Sequence, residues 1–246
     1  MSTRTPLSDT LPAGLPERVL YRDGLIVVID KPAGIAVHAG PGGGAHLEHW
    51  FPLLRFGLPQ PPALAHRLDR DTSGCLVLGR HAKALRRLGA LFRDGKVEKI
   101  YWAVVAGHPA EPAGTIDAPL RKDASRRVGW RMEIDPAGQR AVTEYRVLGA
   151  AAGETWLELR PRTGRTHQIR VHCAALGCPV VGDPTYGGPA GQRLHLHARA
   201  VAIPLYPARP AVSVTAPPPP HMLAALVRLG YDRAEAKEAA PETVTA

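Results

Sequence analysis

The chain has 246 residues, 45% of them hydrophobic, which is enough to bury the core of one large domain or two small ones. Lysine and arginine number 31 against 22 acidic residues, and the net charge of +9 favours a polyanionic partner. No apolar run approaches the ~20 residues of a membrane-spanning helix, the N-terminus lacks the apolar core of a secretory signal, and three cysteines do not suggest a disulfide framework. We therefore expect a cytoplasmic protein with no membrane partner.

The first part of the chain predicts a leader, a strand and a short helix. Residues 1–18 are polar and rich in proline, which predicts a flexible leader. The β-branched run at 25–29 predicts a buried strand that ends at Lys31-Pro32, because proline removes a ladder donor. The glycine-rich segment 40–44 lacks the Gly-Lys-Ser/Thr ending of a nucleotide-binding loop, so we interpret it as a flexible connection. A short helix is predicted over 46–56.

The middle of the chain predicts a helix followed by a strand. Over residues 82–93 leucines recur at three- and four-residue spacing with arginines on other faces, which predicts an amphipathic helix that stops near Gly95. Residues 99–105 predict a strand. The long segment 111–138, which carries proline, glycine and arginine, predicts loops with short strands.

The C-terminal half predicts two strands, a helix that stops at Gly177, a period-two strand, a rigid proline spacer and a terminal helix. These cover residues 141–148, 155–159, 166–176, 194–203, 217–220 and 222–229. A frayed tail is predicted over 231–246. Strands and helices are interspersed without regular βαβ alternation, so the predicted fold class is α+β with a mixed sheet.

The most informative stretch is residues 65–74, Ala-His-Arg-Leu-Asp-Arg-Asp-Thr-Ser-Gly, which precedes the apolar run 75–78. Polar groups beside a buried strand are costly unless they have partners or functions. An aspartate carboxylate is ordinarily ionised at neutral pH and can act as a nucleophile. Asp69 is therefore a candidate for chemistry, and the alternative is a structural carboxylate paired with an arginine.

Residues 66–74, His-Arg-Leu-Asp-x-x-Thr-Ser-Gly, resemble the catalytic signature of the RluA family of RNA pseudouridine synthases. Two further blocks follow the family's order: residues 30–34 resemble its early Lys-Pro-x-Gly block, and residues 164–172 resemble its late Arg/His block. The resemblance implies one catalytic domain over residues 19–230, with a central mixed, mostly antiparallel sheet flanked by helices and loops. Many family members carry a small RNA-binding domain in front, and we expect none here because few residues precede Val19.

The resemblance also implies roles for three residues. Asp69 would start the cleavage of the bond between uracil N1 and the ribose, either by attacking the sugar carbon or by removing a sugar proton. Arg170 would pair with Asp69 through its guanidinium fork, the alternative being a helix-surface arginine. Tyr101 would stack on the target uracil and help to remove the C5 proton, the alternative being a half-buried strand aromatic.

Five more residues are candidates for RNA or substrate binding. The resemblance gives Arg67 the task of filling the gap left by a flipped base, and His66 lies beside it; local salt bridges are the alternative for both. His167, predicted on nearly the same helical face as Arg170, and Arg165 at the helix start are candidates for RNA contact. The alternative for His167 is a core or helix-cap histidine. Leu196 is a candidate for the pocket wall, although core packing is the more common role for such a residue.

We expect no metal and no cofactor. Six histidines and cysteines between 167 and 197 lie close in sequence, but no Cys-x-x-Cys or zincin spacing occurs. Internal rearrangement of a base requires no redox or group-carrying cofactor. The expected function is the isomerisation of uridine to pseudouridine in rRNA or in a tRNA stem-loop. We expect the protein to act as a monomer and to select its target partly through the basic segment 121–131. The alternatives are a catalytically silent RNA-binding or RNA-folding module and a hydrolase that uses Asp69 with His66.

Overall fold

The computed structural model describes residues 14–40, 43–123 and 130–232. Outside the described residues lie the first 13 residues of the predicted leader, the tail after residue 232, residues 41 and 42 of the glycine-rich connection, and residues 124–129 of the basic segment. The prediction of a flexible leader is wrong for residues 14–18, because Leu15 is buried in the core and Pro16–Arg18 form a 3₁₀ helix. Within the described residues the strands are β1 (Val19–Arg22), β2 (Ile26–Lys31), β3 (Ala63–Leu64), β4 (Ser73–Gly79), β5 (Glu98–Ala106), β6 (Ala113–Asp117), β7 (Leu120–Asp123), β8 (Arg131–Ile134), β9 (Val142–Ala151), β10 (Glu154–Pro161), β11 (Leu196–Ile203) and β12 (Val212–Thr215), and the helices are α1 (Ala82–Arg93), α2 (Gln168–Ala175) and α3 (Pro220–Arg228).

Ten of these strands form one large sheet, in the order β1-β2-β4-β11-β5-β10-β9-β6, with β12 paired to β11 and β3 paired to β4. The β4–β11 pair is parallel, and the other pairs of this sheet are antiparallel. Strands β7 and β8 form a separate antiparallel hairpin. The predicted α+β class with a central mixed, mostly antiparallel sheet is confirmed.

The sheet is covered on both faces, which is why consecutive residues are apolar at 26–29 in β2 and at 100–105 in β5. In β2 the side chains of 27 and 29 pack with a 3₁₀ helix, Leu47–Leu54, whereas those of 26 and 28 pack with α1 on the opposite face. Strand β5 repeats this alternation, with 103 and 105 against α2 and with 102 and 104 against α3. Tyr101 contacts the clusters that contain the 3₁₀ helix and α2, so it lies between them on one face.

Most predicted elements occur with small shifts of their ends. Helix α1 has the predicted bounds and is followed by Gly95 in the left-handed region at φ +67°, because the apolar face of the helix ends there. The predicted helix over 166–176 begins two residues later, since His167 is itself left-handed with φ +53°. The statement that His167 lies on a helical face with Arg170 is therefore wrong. His167 is the N-cap residue of α2, and its direction is set by its own backbone.

The fold brings five segments together at a cleft beside Tyr101. These are the loop 65–72 between β3 and β4, the end of α1, the middle of β5, the loop 162–167 that leads into α2, and the start of β11.

No helix among the described residues is long and apolar enough to cross a bilayer.

Candidate active site

The cleft has a volume of about 530 Å³ and collects every one of the eight site residues named from the sequence. Its described lining carries six arginine or lysine side chains and a single carboxylate, that of Asp69. Cations around one carboxylate suit a polyanionic ligand, because they attract its phosphates while the carboxylate meets another part of it. The residues that line it are His66, Arg67, Leu68, Asp69, Thr72, Phe92, Arg93, Gly95, Lys99, Tyr101, Pro161–Arg170 and Leu196.

Asp69 is half-buried on a loop that is tied down from beneath. The side chain of Lys31, at the end of β2, is fully buried, and its ammonium donates hydrogen bonds of 2.9 Å to the carbonyl oxygens of Pro32, Arg70 and Thr72. A second tie runs from the amide of Gly34 to the Arg70 carbonyl at 3.0 Å. The early Lys-Pro block therefore fixes the backbone directly after Asp69, at Arg70 and Thr72.

Arg170 lies beside Asp69, but the two guanidinium nitrogens that form a bidentate pair face Asp183. Its Nε and Nη2 donate to the two carboxylate oxygens of Asp183 at 2.6 and 2.8 Å, while its Nη1 lies 3.6 Å from Asp69 Oδ2. Burial alone would lower the pKa of Arg170, but the Asp183 hydrogen bonds and the Asp69 charge raise it, so the guanidinium stays charged. The sequence prediction of a fork on Asp69 is thus replaced by a bidentate Arg170–Asp183 pair that reaches Asp69 with its remaining nitrogen.

Asp183 is a residue of the site that sequence reasoning missed, as it missed Gln168 and Tyr186. It is 1% exposed and follows the buried pair Val180-Val181, where an aspartate is costly unless a cation meets it. Its carboxylate also accepts the amide of Thr185 at 3.2 Å. The only signal in the sequence was an acid directly after an apolar run, in Gly182-Asp183-Pro184.

His167 approaches Asp69 from the other side, with its Nε2 at 3.8 Å from Asp69 Oδ2. Burial lowers the pKa of His167, although the Asp69 carboxylate opposes this, so the ring is neutral at physiological pH. Its Nδ1 lies 2.8 Å from the Tyr186 hydroxyl, which also accepts the Met132 amide at 2.9 Å. Because a neutral ring carries one proton, the arrangement that satisfies both contacts has Tyr186 donating to Nδ1 and Nε2–H facing Asp69.

Tyr101 forms the floor of the cleft at the centre of the sheet. It pairs with Ala198 of β11 and Leu159 of β10, which holds its backbone on both sides. Burial and the neighbouring Asp69 carboxylate raise the pKa of Tyr101, so the phenol keeps its proton at neutral pH. Leu196 is 3% exposed and Ile169 is 6% exposed, so each packs in the core and also presents an edge to the cleft.

His66 lines the cleft but is engaged by the protein itself. Its Nε2 accepts the Val77 amide at 3.0 Å, and its ring stacks on Phe92 with the centroids 4.6 Å apart. Burial, with a contribution from the Lys99 charge, lowers the pKa of His66 to about 3. A neutral imidazole whose acceptor nitrogen is occupied cannot serve Asp69 as a base, which argues against the hydrolase alternative.

The cationic side chains occupy the rim. Arg67 and Arg165 are exposed, and the Arg165 Nε donates to the Arg140 carbonyl at 3.1 Å. Lys99 lies deeper, where its ammonium donates to the Thr163 carbonyl at 3.0 Å and burial lowers its pKa to about 8. These groups carry positive charge toward the same opening as Asp69.

The loop before α2 is held by one buried amide, that of Gln168. Its Oε1 accepts from Thr163 Oγ1 and from the Arg165 amide at 2.7 and 3.0 Å, and its Nε2 donates to the Val142 carbonyl and Thr143 Oγ1 at 2.9 Å. All four hydrogen-bonding positions of the amide are thereby used. Gln168 thus fixes the path of the segment that presents Arg165 and His167.

Comparisons with known proteins identify the family of the chain. The sequence profile of the RNA pseudouridylate synthase family matches residues 25–175. An uncharacterized RNA pseudouridine synthase of Zymomonas mobilis is 44% identical over 209 residues, which cover 83% of this chain and 95% of that protein. The ribosomal large subunit pseudouridine synthase C of Vibrio cholerae is 33% identical over 230 residues, 88% of this chain and 70% of that protein.

A solved structure extends the likeness to three dimensions. The human RNA pseudouridylate synthase domain containing 4 superimposes with a TM-score of 0.73 at 31% identity, covering 87% of this chain and 94% of that one. Profile, relatives and fold agree with the three ordered motif blocks, so the chain belongs to the RNA pseudouridylate synthase family, in the RluA group.

Proposed function

We propose that this RNA pseudouridine synthase uses Asp69 as its catalytic carboxylate. The observation that carries the proposal is that Asp69 is the single carboxylate among the described residues of a cation-lined cleft. In the reaction the bond between uracil N1 and the ribose breaks, the base turns, and a bond forms between C5 and the same sugar carbon. The C5 proton is lost and N1 gains one, so the change is an isomerisation. Asp69 either attacks the sugar carbon or removes a proton from the sugar.

Arg170 and His167 keep the Asp69 carboxylate oriented. The Nη1 of Arg170 at 3.6 Å and the Nε2 of His167 at 3.8 Å both approach the same oxygen, Oδ2. Both distances are longer than a hydrogen bond, so the carboxylate is attracted without being fully occupied. A sugar that enters the cleft therefore meets a carboxylate with free acceptor capacity.

Tyr101 supports the flipped base. A ring on the cleft floor offers a stacking surface worth about 1–3 kcal/mol per base. Since the phenol keeps its proton, its hydroxyl acts first as a hydrogen-bond donor, and it assists removal of the C5 proton only when a base accepts the phenolic proton in turn. Leu196 and Ile169 close the pocket around the uracil.

The rim residues bind the RNA backbone. Arg165 and His167 contact the RNA near the target, and Arg67, exposed two residues before Asp69, fills the gap that the flipped base leaves. His66 supports the loop through its own hydrogen bond and stacking. Arg67, Arg165 and Lys99 have no acidic partner among the described residues, so they predict a salt dependence of RNA affinity.

We assign the substrate to ribosomal RNA, with tRNA stem-loops as the second possibility. The name of the Vibrio cholerae relative places its own action on the ribosomal large subunit. We further propose that residues 19–230 form the catalytic unit and that the protein acts as a monomer in the cytoplasm. Size-exclusion chromatography with light scattering tests the monomer.

The test replaces Asp69 with asparagine, which keeps the shape and removes the charge. We expect Asp69→Asn to lower pseudouridine formation at least roughly a thousandfold while RNA binding persists. Tritium release from uridine labelled at C5, measured separately on large-subunit rRNA and tRNA transcripts, reports turnover and substrate class together.

Asp71→Asn is the matched control, because Asp71 is exposed in the same loop. It should keep wild-type activity. Full activity in Asp69→Asn would contradict the assignment. A wild-type protein that binds both RNAs but releases no tritium would support the silent RNA-binding alternative.

A further inference from the structure

The β7–β8 hairpin presents an exposed indole beside the cleft. All four tryptophans lie within the described residues: Trp102 and Trp156 are buried, Trp50 is half-buried, and Trp130 is 43% exposed. An exposed apolar side chain alone carries little meaning. Its neighbours decide what Trp130 can bind.

Trp130 is stacked on a residue of the candidate active site. Its ring lies nearly parallel to that of His167, with an interplanar angle of 17° and the centroids 5.1 Å apart. Because His167 Nε2 lies 3.8 Å from the Asp69 carboxylate, one imidazole ring separates the indole from that carboxylate. A base stacked on Trp130 would belong to a nucleotide next to the one that meets Asp69.

The charges on the hairpin favour a phosphate at this place. Arg121 pairs with Glu133 and Asp135, and Arg131 pairs with Asp123. Lys122 instead places its ammonium 5.0 Å from the centre of the Trp130 ring. Its long flexible side chain allows the ammonium to leave the ring for a phosphate when a base takes its place.

The position of the hairpin is fixed relative to the cleft. The Met132 amide, two residues after Trp130, donates to the Tyr186 hydroxyl at 2.9 Å, and the same hydroxyl bonds His167 Nδ1 at 2.8 Å. The hairpin that carries Trp130 and the His167 ring are therefore both hydrogen-bonded to the Tyr186 hydroxyl. A preorganised aromatic surface binds a base with little further loss of entropy.

We propose that Trp130 and Lys122 form an RNA subsite in which the indole stacks on the base of a nucleotide adjacent to the target uridine and Lys122 contacts its phosphate. This subsite rests on the proposed function, since it assumes that RNA enters the cleft. It selects unpaired flanking nucleotides, because a base held in a duplex cannot stack on the ring.

Binding of two short oligomers of equal length, an oligouridylate and an abasic oligonucleotide, tests the subsite. We expect Trp130→Ala to weaken oligouridylate binding roughly 5- to 150-fold, the range that stacking supplies, and to leave binding of the abasic oligomer unchanged. Trp130→Phe should retain part of the affinity. Lys122→Ala should weaken both oligomers and reduce the slope of log Kd against log salt by about one.

Ile134→Ala is the matched control, since Ile134 lies in β8 and is 44% exposed without an aromatic ring. It should bind both oligomers as the wild type does. The subsite is wrong if Trp130→Ala binds oligouridylate like Ile134→Ala, or if it weakens both oligomers equally. These measurements need no turnover, so they stay readable if the Asp69 assignment fails.

Discussion

The buried lysine beneath the Asp69 loop is open to a direct test by Lys31→Met. Methionine keeps the length and the apolar packing of the side chain but donates no hydrogen bond. Of the three carbonyls that Lys31 holds, that of Arg70 retains the Gly34 amide, whereas those of Pro32 and Thr72 lose their ammonium donor. A buried acceptor without a partner costs about 1–3 kcal/mol.

The Thr72 carbonyl is buried, which predicts a loss of roughly 1–3 kcal/mol in the free energy of unfolding, and the half-buried Pro32 carbonyl adds less than that. The loop also carries Asp69, and a misplacement of about 1 Å can lower a rate on the order of a hundredfold. Urea unfolding gives the first quantity and tritium release from RNA gives the second. The control is Lys83→Met on the exposed side of α1, which should change stability by less than about 0.5 kcal/mol. If the two variants were equally stable and equally active, the hydrogen bonds of Lys31 would not be what holds the Asp69 loop.

The same lysine predicts a pH dependence. Burial lowers the pKa of Lys31 to about 7, although the carboxylates of Asp71, Asp69 and Asp30 oppose the shift. An unfolded lysine keeps its proton up to about pH 10.4, so above pH 7 the unfolded state binds more protons than the folded one. Stability of the wild type relative to Lys31→Met should therefore rise between pH 7 and 9, by up to about 1.4 kcal/mol per unit. If the difference in stability does not change with pH, the hydrogen bonds to the three carbonyls keep the Lys31 ammonium charged in spite of its burial.

Two further substitutions test the residues that hold the site in place. Asp183→Asn removes the charge that pairs with the buried Arg170 guanidinium and should cost roughly 2–5 kcal/mol in urea unfolding. The control is Asp117→Asn, which breaks an ion pair with both side chains more than half exposed and should cost under about 1 kcal/mol. Equal costs would show that the Arg170–Asp183 pair does not stabilise the fold. Gly74 has φ +103°, and a Cβ there would lie 2.2 Å from a carbonyl oxygen of β11, so Gly74→Ala should destabilise by on the order of 3 kcal/mol or more. The control Gly89→Ala, in α1 with open space around it, should instead stabilise the protein by up to about 1 kcal/mol in the same assay. If Gly74→Ala is as stable as the wild type, strands β4 and β11 can move apart at this position.

Local patterns predicted the elements whose cause is local. Helix α1 follows from leucine spacing and the glycine stop, and β2 follows from a run of β-branched residues. The sequence places the start of α2 two residues too early, because nothing in the side chains of Thr166 and His167 marks the left-handed backbone of His167. Nothing in a period of 3.6 residues marks a single left-handed position.

Contacts between distant segments were beyond such patterns. Arg170 and Asp183 are separated by a helix end and a turn, so no spacing rule pairs them, and the fork was assigned to Asp69 instead. Lys31 was recognised as part of a block but its burial was not, since lysine is almost never fully buried without partners. The residues that carry chemistry could be named from the sequence, whereas those that hold them in place could be found only in the fold.

The proposed mechanism explains why Arg170 needs a second acid. A lone guanidinium beside Asp69 would form a bidentate pair with it, and such a pair would engage both carboxylate oxygens and turn them toward the arginine rather than toward a sugar. Asp183, 1% exposed, takes both fork nitrogens and leaves only Nη1 for Asp69 at 3.6 Å. The Arg170–Asp183 pair has no net charge, so it attracts the Asp69 carboxylate less strongly than an unpaired guanidinium would. Replacing Asp183 should therefore lower kcat as well as stability, because the freed fork can close on Asp69.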